Sequence, residues 1–256
     1  MNKFRFAFAM AAVAAFAMVS AVKADPINVR PAAGVTAGEL SSLDAALNTA
    51  PIHVSGPSID VIADQTPFAQ FTNNSAGGSV ATFAIELAGF AGTNTFGIYD
   101  AANSANRAEV FAGGDTAGAQ KIISFMANGD IKVNGSVVAS GFASPSNFGF
   151  YIGVPVTGAT YFSEDDLNPG GMAQALIYQG NNQTRLQLPG FSPGTFTSDE
   201  FIVAFEDLQR MGGFTDDDFT DLVVLVESIS PVPAPAAVLL GAIGLGLVGW
   251  VRKRVK

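Results

Sequence analysis

Cysteine is absent from this chain, histidine occurs once, at His53, and tryptophan once, at Trp250. Without cysteine there is no thiol nucleophile, no thiolate zinc or iron centre and no c-type haem attachment. A hydrolytic triad or a zinc site would have to rest on His53 alone. That residue lies in Pro51-Ile52-His53-Val54-Ser55-Gly56-Pro57, a loop-like stretch with no catalytic partner near it in sequence, and reads as an ordinary surface histidine. The missing disulfides are no obstacle to folding, since a domain of about 200 residues buries an adequate apolar core. Basic side chains are also scarce. Between Asp25 and Ser230 there are six against all 22 acidic ones, a formal charge of −16. Nucleic acid is excluded as a partner, because affinity for it comes mainly from Lys and Arg meeting phosphate. Divalent cations and basic or neutral surfaces are the natural partners of such a domain, although net acidity also serves solubility and by itself implies no site.

Basic residues gather instead at the two ends. Lys3 and Arg5 precede an apolar stretch from Phe6 to Val19, and Val22-Lys23-Ala24 stands before Asp25-Pro26. A charged start, a short apolar core and a small residue at the cut make a secretory signal peptide over residues 1–24, with cleavage between Ala24 and Asp25. The apolar core is shorter than the roughly 20 residues that a retained span prefers. At the other end Pro231-Val232-Pro233-Ala234-Pro235 leads into an uncharged stretch from Ala236 to Val251, followed by Arg252, Lys253, Arg254 and Lys256. As a helix that stretch reaches roughly 24 Å, enough for a thin or temporary membrane span. Trp250 suits the interface, and the basic side chains snorkel to headgroups on the cytoplasmic side, which places the acidic domain outside.

Between these ends the expected order is an N-terminal segment over 25–57 with one short helix, a β-domain over 58–229, a Pro-rich stem over 230–235 and a hydrophobic helix with its basic tail over 236–256. Thr36-Ala37-Gly38-Glu39 has the form of a capping box, with Leu40, Leu43 and Leu47 at helical spacing after it. From residue 58 onward short apolar or alternating runs are separated by Gly, Asn, Asp and Pro. Examples are Thr95 to Tyr99, Lys121 to Met126, Phe148 to Val154, Ala173 to Tyr178, Glu200 to Phe205 and Phe219 to Val226. No helical period is long enough for a crossover connection, so the fold class is all-β, an antiparallel β-sandwich of jelly-roll-like type. Asn128-Gly129-Asp130 and Asn134-Gly135 supply the positive-φ residues of two hairpin turns. The stem from Ser230 is expected to be too stiff and too poor in donors to continue a sheet.

Chemistry is concentrated in one segment. Nine of the 22 acidic residues fall between Asp199 and Glu227, within them Phe205-Glu206-Asp207-Leu208 and Thr215-Asp216-Asp217-Asp218-Phe219-Thr220-Asp221. Carboxylates this dense repel one another, and calcium, with six to eight oxygen ligands, is a common way to neutralise them. The candidate ligands are Asp216, Asp218 and Asp221, with Glu206 or Asp207 supplied from the neighbouring strand. An EF-hand is excluded, since Asp221 occupies the place of the turn glycine and Leu222 to Val226 is a strand pattern. An acidic hairpin with solvated carboxylates, bent at Met211-Gly212-Gly213, is the competing reading. Paired carboxylates also serve glycosidases, but the exported domain has no Trp to floor a sugar cleft. A second cluster, Glu164-Asp165-Asp166, reads as a loop carrying surface charge that could join the first in space.

Val232-Pro233-Ala234-Pro235, the apolar stretch and the Arg-Lys-Arg cluster resemble the PEP-CTERM sorting signals of Gram-negative bacteria, with Ala234 where that family usually carries Glu. The resemblance implies a sorting protease of exosortase type as partner, and a host that makes extracellular polysaccharide. Phe96-Gly97-Ile98-Tyr99-Asp100, Phe148-Gly149-Phe150-Tyr151 and Phe205-Glu206-Asp207 with Asp216-x-Asp218-Phe219-x-Asp221-Leu222-Val223-Val224 are similar to an exported β-rich domain of unknown function that often precedes such tails. That family commonly has Asn where this chain has Thr220, and has no established enzymatic activity. The expectation is a non-catalytic surface or matrix protein associated with exopolysaccharide and stabilised by calcium. The alternative is a polysaccharide-directed hydrolase using the acidic cluster.

Overall fold

Three apolar runs carry no polar alternation, and their surroundings explain why. In a computed structural model of the chain they form β11 (Ala175–Gln179), β14 (Phe201–Phe205) and β15 (Leu222–Glu227), neighbours in one antiparallel sheet. Phe201, Val203 and Phe205 join one apolar cluster, while Ile202 and Ala204 join a second on the opposite face. The same division separates Leu222, Val224 and Val226 from Val223 and Leu225. A sheet covered on both faces needs apolar side chains at every position, whereas a sheet with one wet face alternates.

The structure describes residues 30–232 except 33, 75–78, 86–91, 143–146 and 214, with backbone alone for 79–85. The expected signal peptide, its Ala24/Asp25 cleavage site, and Pro233, Ala234, Pro235 and the basic cluster of the tail lie outside these residues. Among the described residues no helix is long and apolar enough to cross a membrane.

The sheet that these strands share runs β11-β14-β15-β3-β6-β7-β8, completed by β3 (Ser79–Ile85), β6 (Gln120–Phe125), β7 (Ile131–Val133) and β8 (Ser136–Ala139), with Ile122, Val137 and Val138 exposed at its far end. Asn134 and Gly135, with φ of 49° and 82°, make the tight turn between β7 and β8 that the Asn-Gly pair predicts. A second antiparallel sheet has the order β16-β2-β9-β4-β5, from β16 (Ile229–Pro231), β2 (Gln70–Asn73), β9 (Asn147–Val154), β4 (Thr95–Asp100) and β5 (Asn103–Phe111). β10 (Ala159–Phe162) folds back on β9. The apolar layer between the two sheets is rich in aromatics: Phe71 meets Phe201 edge-on at 4.9 Å, and Phe96 meets Phe205 at 6.3 Å. On the other side of the first sheet sit α1 (Ser41–Asn48) and a small sheet of β1 (His53–Ser55), β12 (Arg185–Leu186) and β13 (Gly194–Thr195). Leu40, Leu43 and Leu47 bury there, as their spacing predicts. The capping box is present, with Thr36 N–H donating to Glu39 at 2.7 Å and Glu39 N–H donating to the Thr36 hydroxyl at 3.4 Å, and the helix begins one turn later.

The all-β, antiparallel expectation therefore holds, and three local expectations are corrected. Ser230 and Pro231 do not break the sheet: they extend β16 along β2, and Val232 N–H donates to the Gln70 carbonyl at 3.0 Å. Proline is tolerated because β16 is an edge strand, where a missing N–H faces no neighbour. His53 opens a short strand in register with Leu186 instead of lying in a loop. Glu164 and Asp165, expected at the surface, are buried.

That third correction follows from a close fit between β4 and β9. Gly97 pairs with Tyr151 and Gly149 with Tyr99. A Cβ on Gly149 would lie 2.2 Å from the Tyr99 hydroxyl, and one on Gly97 would lie 2.5 Å from the Tyr151 ring. Each glycine leaves room for the tyrosine across the ladder. Tyr99 so placed donates its O–H to Glu164 at 2.7 Å, Gln70 donates to the same oxygen at 2.9 Å, and Arg30 pairs with Asp165 at 3.1 Å. Donors drawn from three distant segments make burial of this acidic turn affordable.

Candidate metal site

The β14–β15 hairpin brings the acidic residues together. Phe205 is in register with Leu222, so Glu206 and Asp207 leave one strand as Asp221 enters the other. Asp207 N–H donates to the Asp221 carboxylate at 2.7 Å, which fixes Asp221 across the mouth of the connection. One ligand oxygen each from Glu206, Asp207 and Asp221 lies within 4.8 Å of the others, and these three residues are buried. A second set closes at the same distance: Glu206 with Asp216 and Asp218, the former exposed and the latter half-buried. All five residues singled out from the sequence thus fall into two triads that share Glu206.

The connecting loop is braced by residues with no signal in the sequence. Gln174, buried just before β11, donates to the carbonyls of Glu206 and Leu208 at 3.1 and 2.8 Å and accepts from Arg210 N–H at 3.0 Å. The Arg210 guanidinium pairs with Asp217, donates to the Ala173 carbonyl at 2.9 Å and lies 5.4 Å from the centre of the Phe219 ring. Asp217 is thereby engaged away from the triads. Asp217 and Phe219 have φ of 57° and 53°, conformations that side chains other than glycine adopt at a cost and that require such bracing. Asp218 Oδ1 accepts from the backbone and hydroxyl of Thr220 at 2.9 and 2.8 Å, an arrangement local to the loop.

Electrostatics in the cluster are unfavourable whenever its carboxylates are ionised together. At an effective dielectric near 20, two ionised carboxylates about 4.8 Å apart repel by about 3.5 kcal/mol. Among the described residues no Lys, Arg or His forms an ion pair with Glu206, Asp207, Asp216, Asp218 or Asp221. Burial, then the nearby Asp221 charge, pushes the Glu206 carboxyl far above its ordinary range. Burial likewise raises Asp221 and Asp207, against the hydrogen bonds that Asp207 N–H gives the one and Asn94 gives the other. Glu206 is 0% exposed; its Oε1 accepts from Leu208 N–H at 3.1 Å, and its Oε2 meets no donor. Asn94, from the approach to β4, donates to Asp207 at 2.7 Å and leaves its own buried Oδ1 without a donor. Carboxylate and amide oxygens of this kind are the ligands that hard divalent cations take. These buried acidic groups could hold a metal ion.

A separate cleft of about 160 Å³ opens at the far end of β14 and β15, with Leu188, Phe191, Phe196, Glu200 and Glu227 in its walls. It contains none of the residues expected from the sequence. Burial raises both Glu200 and Glu227 above their ordinary range. His53, half-buried, has its Nε2 3.4 Å from the Pro57 carbonyl.

Fold and site together define an antiparallel all-β domain with a buried carboxylate cluster. No family model, curated protein or solved structure matches this chain.

Proposed function

We propose that the chain is an exported, non-catalytic surface or matrix protein whose β-domain, a jelly-roll-like sandwich, is stabilised by calcium. In this reading the signal peptide is removed after Ala24. The tail holds the protein in the inner membrane until a sorting protease of exosortase type acts near Val232 to Pro235, and the acidic domain then resides at the surface or among extracellular polysaccharide. The observation that carries the calcium reading is the buried Glu206 carboxylate, a member of both triads, whose Oε2 meets no donor. Calcium suits oxygen ligands in irregular geometry, whereas magnesium demands a tighter octahedron and releases water reluctantly.

Melting of the purified protein in chelator and in excess calcium tests it. An ion bound to the folded form alone stabilises by about 2.7 kcal/mol at a hundredfold excess over Kd, a rise of several degrees in Tm for a domain of this size. Magnesium is expected to do much less. Equal melting in both buffers would leave the cluster a proton-bearing acidic turn and remove the calcium reading. Mass spectrometry of both protein ends, after separation of membrane, surface and medium, tests export. The mature material is expected to begin at Asp25, and recovery of only intact chain would overturn that part.

A further inference from the structure

We infer that the 206–221 connection holds two calcium ions bridged by Glu206, with Asn94 a ligand of the inner one. This rests on the cation reading above and deepens it. Ligand atoms lie 2.3–2.6 Å from a calcium ion, so two oxygens on one ion are at most about 5 Å apart. The carboxylates meet that condition as two triads, Glu206/Asp207/Asp221 and Glu206/Asp216/Asp218, and not as one set of five. An ion seated in either triad leaves two carboxylates of the other unanswered. Charge points the same way: deprotonated, as calcium requires, the five carboxylates carry −5, so one calcium leaves −3 and two leave −1.

Asn94 supplies an observation independent of the acidic residues. It is 3% exposed, its amide nitrogen is held on Asp207, and its Oδ1 has no donor although it is buried beside the inner triad. A buried acceptor without a donor is costly, and a neutral amide oxygen is an ordinary calcium ligand. The two positions differ in solvent access. Three buried carboxylates and the Asn94 oxygen surround the inner one, while exposed Asp216 leaves the outer one open to water. The inner ion is therefore the tighter and slower to exchange, and the outer ion the weaker.

The test is calcium binding to the purified protein by titration calorimetry, with native mass spectrometry for the count and chelator-treated protein as blank. Two ions per chain in two affinity steps are expected. Asp216→Asn, at an exposed position, should weaken the second step by about tenfold or more and leave the first within about twofold. Asn94→Ala should weaken the first step. A single ion per chain, weakened by both Asp216→Asn and Asp221→Asn, would overturn the two-ion arrangement while sparing the calcium reading; no binding at all would overturn both. Should Asn94→Ala fail to fold, the ion count and the Asp216→Asn titration decide the matter without it.

Discussion

Glu164–Asp165 and Glu206–Asp207 are both pairs of consecutive carboxylates removed from water, and the fold meets them in opposite ways. Around the first, donors converge from far along the chain: Arg30 on Asp165, and Tyr99 and Gln70 on Glu164. The atoms left over there are of both kinds, Glu164 Oε2 and the Arg30 Nη1 donor. Around the second, donors are backbone N–H groups and the Asn94 amide, no cation among the described residues pairs with it, and the leftover atoms are acceptors, Glu206 Oε2 and Asn94 Oδ1. A buried acidic group answered by built-in donors is a fastening. One surrounded by further acidic groups is suited to a ligand of positive charge.

The sharpest way to break this comparison is to remove the fastening's cation. Arg30→Ala leaves Asp165 buried without its guanidinium and is expected to cost about 3–5 kcal/mol, on the order of ten degrees in Tm. Calcium should not restore the loss, and thermal melts in chelator and in calcium check this. Recovery in calcium would show that the two clusters are not distinct in kind.

Glu206→Gln is next in size and acts mainly in calcium. In chelator near neutral pH the raised Glu206 carboxyl already carries a proton, so a neutral amide of the same shape should change stability by less than about 1 kcal/mol. In calcium it replaces the charged shared ligand by a neutral one, so the calcium-induced rise in Tm should be largely lost. A variant clearly more stable than wild type in chelator would mean that Glu206 is ionised in the metal-free protein.

Acidity separates the states further. Glu206 and Asp221 have raised values in the folded, metal-free domain, against about 4.3 and 3.9 in an unfolded chain. The folded state therefore binds more protons than the unfolded one. In chelator this contribution to stability is fully present below about pH 4 and is lost as pH rises through the raised values. Calcium needs the deprotonated carboxylates, so the stabilisation it gives should grow with pH over the same interval. Melting curves at several pH values, with and without calcium, should diverge upward from mild acid; parallel curves would contradict the placement of the ion.

The smallest effect is expected from Thr220→Val, which removes the hydroxyl from Asp218 Oδ1 and keeps the backbone bond. It should cost about 0.5–1.5 kcal/mol in a denaturant titration. Calcium affinity at the outer position should fall more than at the inner one.

Much of this organisation is legible in local sequence, because it depends on residues close together in the chain. The Asn134-Gly135 turn, the Leu40/Leu43/Leu47 face and the antiparallel runs follow from periodicity and turn chemistry. The gathering of Glu206, Asp207 and Asp221 needs only that a hairpin join the strands on either side, and the apolar runs before and after announce those strands. Asn94, 113 residues from Asp207, carries no mark of its contact. Nor do Gln174 and Arg210, whose bracing of the loop depends on β11 lying beside β14. The shortest strands, β12 and β13, are two residues each and owe their form to their neighbours.

By itself, then, the sequence determined the antiparallel all-β class, the hairpin and the acidic density at its turn, since all three are set by spacing along the chain. Tertiary structure alone decided which carboxylates are fastened by distant donors and which face only one another and local donors. The residues around Glu164 look like a surface loop until Gly149 makes room for Tyr99 and Arg30 arrives from 135 residues away. Burial and charge compensation depend on which distant donors reach a carboxylate, and no local pattern encodes that distance.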